Sequence, residues 1–201
     1  VSLLVGLTGS MGSGKTRAAS LFRQLGAYTL DADAVCLALV KPREPAWREI
    51  VERFGNEILQ ADETLNRTEL AKIVFTDPAK KRALESILHP RVFMEEQKFY
   101  NDIRSRQPDA LVIIDAALLI ESGNHKEMDK VIVVSCGQDE QIRRLLARGG
   151  WSREDIEKRL RSQMKVEDKI KLADYVIHND GSLENLATQV ESVFHELKNF
   201  A

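Results

Sequence analysis

Gly9-Ser10-Met11-Gly12-Ser13-Gly14-Lys15-Thr16 fits the pattern G-x-x-x-x-G-K-[ST] and lies between the apolar run Leu3 to Leu7 and the helix-period residues Ala18, Ala19, Leu21, Phe22 and Leu25. Glycines let the backbone curl until successive N–H groups point inward, and the helix that follows adds the positive end of its dipole. Such a ring of donors cradles phosphate. In that reading Lys15 neutralises the β and γ phosphates, and the Thr16 hydroxyl is placed to meet Mg²⁺. The loop therefore predicts a bound nucleoside triphosphate with its metal. It selects no reaction, since switches, motors and small-molecule kinases share it.

Outward from the loop, short apolar runs recur at Ala27 to Leu30, Leu111 to Ile114, Val131 to Val134 and Tyr175 to Ile177, separated by helical patterns. The alternation predicts an α/β fold: a doubly wound parallel sheet of about five strands flanked by helices, of the P-loop NTPase type, with ligands at the carboxyl ends of the strands. Two stretches break the rhythm. From Val35 to Gln107 the periodic residues are helical (Trp47, Ile50, Val51, Phe54; Leu70, Ile73, Val74; Leu84, Ile87, Leu88) and no central strand is evident. From Gln138 to Lys171 the chain is crowded with charge and interrupted by Gly149-Gly150, which reads either as a solvated helix pair or as a mobile arginine-bearing lid. The predicted organisation is a nucleotide-binding core of residues 1–34, 108–137 and 172–201, a helical insertion of residues 35–107, and a lid of residues 138–171.

The 201 residues are 43% hydrophobic and 30% charged, enough for one core with insertions and far from the composition of a disordered chain. With 29 Lys and Arg against 31 Asp and Glu, the formal charge of -2 provides no global basic field for nucleic acid, so anions must be met locally. The two cysteines, Cys36 and Cys136, form no CxxC or Cys/His metal spacing and suit a reducing, cytoplasmic location. Val1 to Leu7 is too short to span a membrane, and a monomer or weak homo-oligomer is expected.

Two acidic positions narrow the chemistry. Asp115 ends the run Leu111-Val112-Ile113-Ile114, which is the Walker B arrangement for holding Mg²⁺; a turn or N-capping aspartate has the same local sequence. Asp31-Ala32-Asp33 follows the second strand, with both carboxylates on one side if the strand continues; a loop or helix cap is the alternative. A phosphotransferase with an alcohol acceptor needs a carboxylate to orient the hydroxyl and take its proton, which makes Asp33 the candidate general base and places Asp31 nearer the metal. A guanine-specific switch is disfavoured, because Asn124-His125-Lys126-Glu127 does not match N-K-x-D.

Together these motifs resemble the dephospho-CoA kinase family nearly end to end. The resemblance is carried by Gly6-Leu7-Thr8-Gly9 with Gly12 to Thr16, by Asp31-Ala32-Asp33, and by Asn66-Arg67, Val74-Phe75, Leu84-Glu85 and Leu88-His89-Pro90 in the insertion. Asp115 with Leu118-Leu119 and Glu121, the lid residues Arg144-Leu145, Arg148, Arg159 and Gln163, and Ala173 to Ile177 with Asn179 complete it. Two departures are Ala117, where the family usually has Pro, and Asp62-Glu63-Thr64, where a Gly commonly follows the acidic residue.

The resemblance implies transfer of the γ-phosphoryl group of ATP to the ribose 3′-hydroxyl of dephospho-CoA, with Mg²⁺ as cofactor. It implies Lys15, Asp33 and Arg144 as the catalytic set, with Arg148 as the alternative cation one helical turn along. ATP would be held by Gly9, Gly12, Ser13, Gly14, Lys15, Thr16, Arg17, Arg148 and Asn179, the last beside the adenine. The helical insertion of residues 35–107 would bind the acceptor. The acceptor would meet Asp33, His89, Arg91 and Leu118, and the metal Thr16, Asp31 and Asp115. His89 also reads as structural, Arg91 as an exposed helix-start arginine, and Asn179 as a turn former. Competing readings are another P-loop small-metabolite kinase of the nucleoside or shikimate type and an ATP-dependent binding module without catalysis. Neither nucleic acid nor membrane is an expected partner.

Overall fold

In the computed structural model, residues 1–200 are described. The elements in chain order are β1 (Leu3–Gly9), α1 (Lys15–Gln24), β2 (Tyr28–Asp31), α2 (Ala32–Leu39), α3 (Pro45–Phe54), α4 (Arg67–Thr76), α5 (Pro78–Arg106), β3 (Leu111–Asp115), β4 (Lys130–Ser135), α6 (Gln138–Arg148), α7 (Arg153–Ser162), α8 (Val166–Ile170), β5 (Tyr175–His178) and α9 (Leu183–Lys198). Short 3₁₀ turns cover Asn56–Ile58 and Asn124–Glu127. The chain forms two compact units, one of Val1–Asp31 with the residues from Phe99 onward, the other of Ala32–Lys98.

In the first unit the five strands make one sheet in the order β2-β3-β1-β4-β5, every neighbouring pair parallel. All five apolar runs of the sequence are strands, the second shifted by one residue. Because β3 is buried throughout and β1 and β4 are buried at every position but their first, these strands read as continuous apolar runs without alternation. Val5, Phe22, Ile113, Val134, Ile177 and Val190 belong to the main core between the sheet and helices α1 and α9. The register sets Asp31 opposite Asp115 and Asp115 opposite Leu7, so both acidic positions stand at the carboxyl edge of the sheet beside the exit of β1. Helices α6 and α7 pack through Ile142, Leu145 and Ile156, joined by Met11 from the glycine-rich loop. Gly149 and Gly150 link these helices with φ of 75° and 83°, a left-handed backbone that suits glycine.

The second unit is helical, with Ile50, Phe54, Ile58, Leu65, Leu70 and Ile87 in its core. Pro45 opens α3 at its first turn, and Asn66 caps α4 by accepting from Glu69 N–H at 3.2 Å. The unit ends at Lys98, within α5, which itself runs to Arg106. One expectation is corrected here. β2 stops at Asp31 and α2 starts at Ala32, so strand alternation does not carry Asp31 and Asp33 to one side; Asp33 lies in the first turn of α2.

Candidate active site

The glycine-rich loop closes on itself through Ser13 N–H, which donates to Ser10 O at 3.0 Å, and α1 starts from Gly14 in the left-handed region at φ 92°. Met11 N–H donates to Gln163 Oε1 at 3.1 Å. Among the described residues, the N–H groups of Gly12, Gly14, Lys15 and Thr16 have no protein acceptor. A row of free amides at the start of a helix is an anion site. At Gly9 a Cβ would fall 2.6 Å from both Ser13 Oγ and Val134 O, so only glycine lets the loop leave β1 along this path.

Asn179 and Arg144 grip the loop from the far side. Asn179, 6% exposed, donates from Nδ2 to Ser13 O at 2.8 Å. Arg144 donates from NH2 to Asn179 O at 2.8 Å, from NH1 to Ser13 O at 3.5 Å and from Nε to Glu140 Oε1 at 2.8 Å. Arg143 donates to Glu140 as well, and its hydrogen bond is the main cause that holds the Glu140 carboxyl down at about 2, with Arg144 adding to it against the cost of burial. The Asn179 amide is committed to the loop backbone, and Arg144 is an anchored cation, whereas Arg148 at the end of α6 is exposed.

Lys15 forms an ion pair with Asp115, which is 6% exposed at the end of β3. Thr16 is exposed in the first turn of α1, and Arg17 follows it, also exposed. A hydroxyl and carboxylates are the hard oxygen donors that Mg²⁺ takes, and one or two protein ligands suffice when phosphate oxygens and water supply the rest. Thr16 and the facing carboxylates of Asp31 and Asp115 fit that need. No group of three or more His, Cys, Asp or Glu side chains able to hold a metal occurs among the described residues.

In the helical unit, Asp33 is exposed, and its charge joins burial in raising the Cys36 thiol above its usual range while Arg67 opposes them. His89 stacks on Phe93 with ring centroids 5.7 Å apart. Arg91 is not at a helix start but well inside α5, one residue past Pro90; it donates to Ile87 O and Glu49 Oε2, both at 2.6 Å. Leu118 is 51% exposed in the turn after β3, while its neighbour Leu119 is buried against Gly6.

The sequence reading passed over two features. One is the clamp of Asn179 on Ser13, whose only trace is an Asn directly after an apolar strand. The other is Lys169, fully buried in α8, which forms an ion pair with Glu121 Oε1 at 2.9 Å and donates to Ala117 O at 3.1 Å. Its neighbours Glu167, Asp168 and Lys171 are exposed, so nothing in the local pattern distinguishes it.

A parallel sheet with this strand order, a phosphate loop after β1 and a buried aspartate ending the adjacent strand define a P-loop NTPase-type nucleotide-binding protein. A shikimate kinase from Acinetobacter baumannii shares the fold, with a TM-score of 0.54 at 19% identity, covering 100% of this chain and 95% of that one. Residues 3–185 match the dephospho-CoA kinase family, and the chain belongs to that family. It is 42% identical over 193 residues to the dephospho-CoA kinase of Aquifex aeolicus, covering 96% of each chain. A crystal structure from Thermus thermophilus superposes with a TM-score of 0.81 at 34% identity, covering 98% of each chain. No described helix is long and apolar enough to cross a membrane.

Proposed function

We propose that this chain transfers the γ-phosphoryl group of ATP to the ribose 3′-hydroxyl of dephospho-CoA, giving coenzyme A and ADP in the last step of coenzyme A synthesis. The observation that carries this reading is the row of free loop amides beside Lys15 and Asp115, in a chain of this family. Phosphoryl transfer needs positioning and charge neutralisation more than covalent chemistry. The amides of Gly12, Gly14, Lys15 and Thr16 receive phosphate oxygens, and Lys15 leaves Asp115 to pair with the β and γ phosphates. When bound, Mg²⁺ spreads the charge of those phosphates, held by Thr16, Asp115 and Asp31.

Asp33 orients the acceptor hydroxyl and takes its proton as the new P–O bond forms and the bond to the ADP oxygen breaks. Arg144, anchored by Glu140 and Asn179, keeps the loop in its phosphate-ready shape, and exposed Arg148 is the lid cation free to reach the migrating group. Residues 138–171 act as a lid that excludes competing water. Residues 35–107 receive the acceptor, and His89, Arg91 and Leu118 are its proposed contacts. The free cysteines Cys36 and Cys136 accord with a cytoplasmic enzyme, working as a monomer or weak homo-oligomer.

ADP formation from Mg-ATP, with and without dephospho-CoA, tests the reading, with mass analysis of the acceptor and shikimate and adenosine as controls. An ADP signal that depends on dephospho-CoA, with one phosphate added to it, is expected. ATP binding without that dependence would overturn the proposal.

A further inference from the structure

Lys169 is the one charged side chain with no solvent exposure among the described residues. A desolvated ammonium is tolerated only with partners, and those of Lys169 are specific: Glu121 Oε1 at 2.9 Å and Ala117 O at 3.1 Å. Each acceptor is shared. Ala117 O also receives Thr8 Oγ1 at 3.1 Å, and Glu121 Oε1 also receives Met164 N–H at 3.4 Å. One buried side chain thereby joins the last strand residue before Gly9, the turn that begins straight after Asp115, and the lid segment from Met164 to α8.

The composition of that turn explains the need. Ala117 offers only a methyl group, so the orientation of its peptide is set by the two donors on its carbonyl. The turn follows directly on Asp115, paired with Lys15, and carries Leu119, packed against Gly6. Any drift of the 116–121 turn is passed to the carboxylate beside the phosphate loop on one side and to the lid on the other. Stability alone does not account for a lysine here, since a buried ion pair adds little over an apolar residue of similar volume.

We propose that Lys169 is a positioning residue for phosphoryl transfer: it locks the 116–121 turn to the phosphate loop and to the base of the lid, and so fixes Asp115 at the metal and closes the lid in register. The role rests on the kinase reading above. It makes no contact with substrate, and it acts through Ala117 and Glu121.

Lys169→Met keeps the volume and removes both the ion pair and the hydrogen bond; Lys169→Arg keeps a cation with donors. Turnover with dephospho-CoA, the KM for ATP, acceptor-free hydrolysis of Mg-ATP and the melting temperature are measured for each. Small misplacements in a reacting complex cost on the order of 10²-fold, and a loss of that size in kcat is expected for Lys169→Met, with the KM for ATP held within about threefold. Acceptor-free hydrolysis should rise, because a lid closed out of register admits water, and Lys169→Arg should recover most of the turnover. Wild-type kcat in Lys169→Met, with only a lower melting temperature, overturns the proposal. If Lys169→Met does not fold, Glu121→Gln decides: it retains an acceptor oxygen, and a several-fold loss of kcat at an unchanged melting point supports the role, whereas wild-type kcat defeats it. A wild-type protein that binds ATP yet gives no transfer to dephospho-CoA defeats the kinase reading instead; the positioning role then stands if Lys169→Met changes Mg-ATP hydrolysis and falls if it does not.

Discussion

Lys15 of the phosphate loop and Asp115 at the end of β3 are joined by an ion pair across the carboxyl edge of the sheet. The pair keeps each charge compensated where Asp115 is 6% exposed, and nucleotide must displace it for Lys15 to reach phosphate. Asp115→Asn removes the competitor for Lys15 and, in the proposed role, a carboxylate for the metal at once. Binding of an ATP analogue in the presence of a chelator should be unchanged or tighter, while kcat with Mg²⁺ falls by about 10²-fold or more, the scale of a lost electrostatic contact at a reacting phosphoryl group. Weaker metal-free binding would show that Asp115 holds the loop open rather than competing for Lys15.

The loop backbone is braced by Asn179, whose Nδ2 donates to the carbonyl of Ser13 at 2.8 Å. Asn179→Ala leaves a buried carbonyl with only the long 3.5 Å contact from Arg144 NH1, at a cost of about 1–3 kcal/mol. The expected result is a lower midpoint in urea denaturation together with a raised KM for ATP, kcat being less affected. Gly14→Ala strikes the same junction harder. Its Cβ would fall 2.0 Å from Asn179 Nδ2 at a φ of 92°, so nucleotide binding by calorimetry should be lost.

The fold was legible because burial on both faces turns the central strands into β-branched runs such as Val131-Ile132-Val133-Val134, which no surface helix shares. The phosphate loop was legible for a similar reason, since its amides and glycines serve a geometry that few other sequences satisfy. The limits lie where tertiary contact overrides local pattern. Asp33 falls on a helix because the strand stops one pair beyond Leu30, a boundary that no residue type marks. Arg91 reads as a helix start because Pro90 precedes it, yet α5 continues through the proline, with Arg91 folding back on Ile87 O. Lys169 and Asn179 owe their importance to Glu121 and Ser13, far away in sequence, and periodicity carries no trace of such pairings.

Glu140 accepts from both Arg143 and Arg144, and its carboxyl is held at about 2 against an ordinary 4.5, chiefly by the Arg143 hydrogen bond. A depressed carboxylate contributes stability that is complete above its unfolded value and is lost as pH falls toward the folded one. Glu140→Gln should therefore flatten the dependence of unfolding free energy on pH between 4.5 and about 2, as read from denaturant titrations at several acidic pH values. It also removes the charge that anchors Arg144, and a raised KM for ATP near neutral pH is the expected companion. An unaltered KM would confine Glu140 to a structural role.

Asp33 stands in the first turn of α2, two residues beyond the last strand residue Asp31. As general base it would contribute only when an acceptor hydroxyl gives up its proton. Asp33→Asn should lower kcat by roughly 10²–10⁴-fold and leave Mg-ATP affinity intact. A protein that used ATP only as a conformational signal would keep its nucleotide-dependent behaviour in this variant and show no acceptor-dependent turnover to lose. Parallel loss of ATP binding would instead place Asp33 with the metal ligands.

Burial of Cys136 at the end of β4 pushes its thiol up to about 11 from 9.0, with Arg144 opposing the shift and Asp180 reinforcing it. The thiolate is the reactive form, so alkylation of Cys136 by iodoacetamide at pH 8 should be much slower in the folded protein than in denaturant. The linkage has a definite sign. Below 9.0 the thiol is protonated in both states and costs nothing; from 9.0 to about 11 the unfolded chain ionises while the folded chain resists, so stability declines across that window. Cys136→Ala removes this contribution, and its unfolding free energy should fall less steeply between pH 9 and pH 11 than that of the wild type. Equal slopes for the two proteins would mean that the thiol has access to solvent when it ionises.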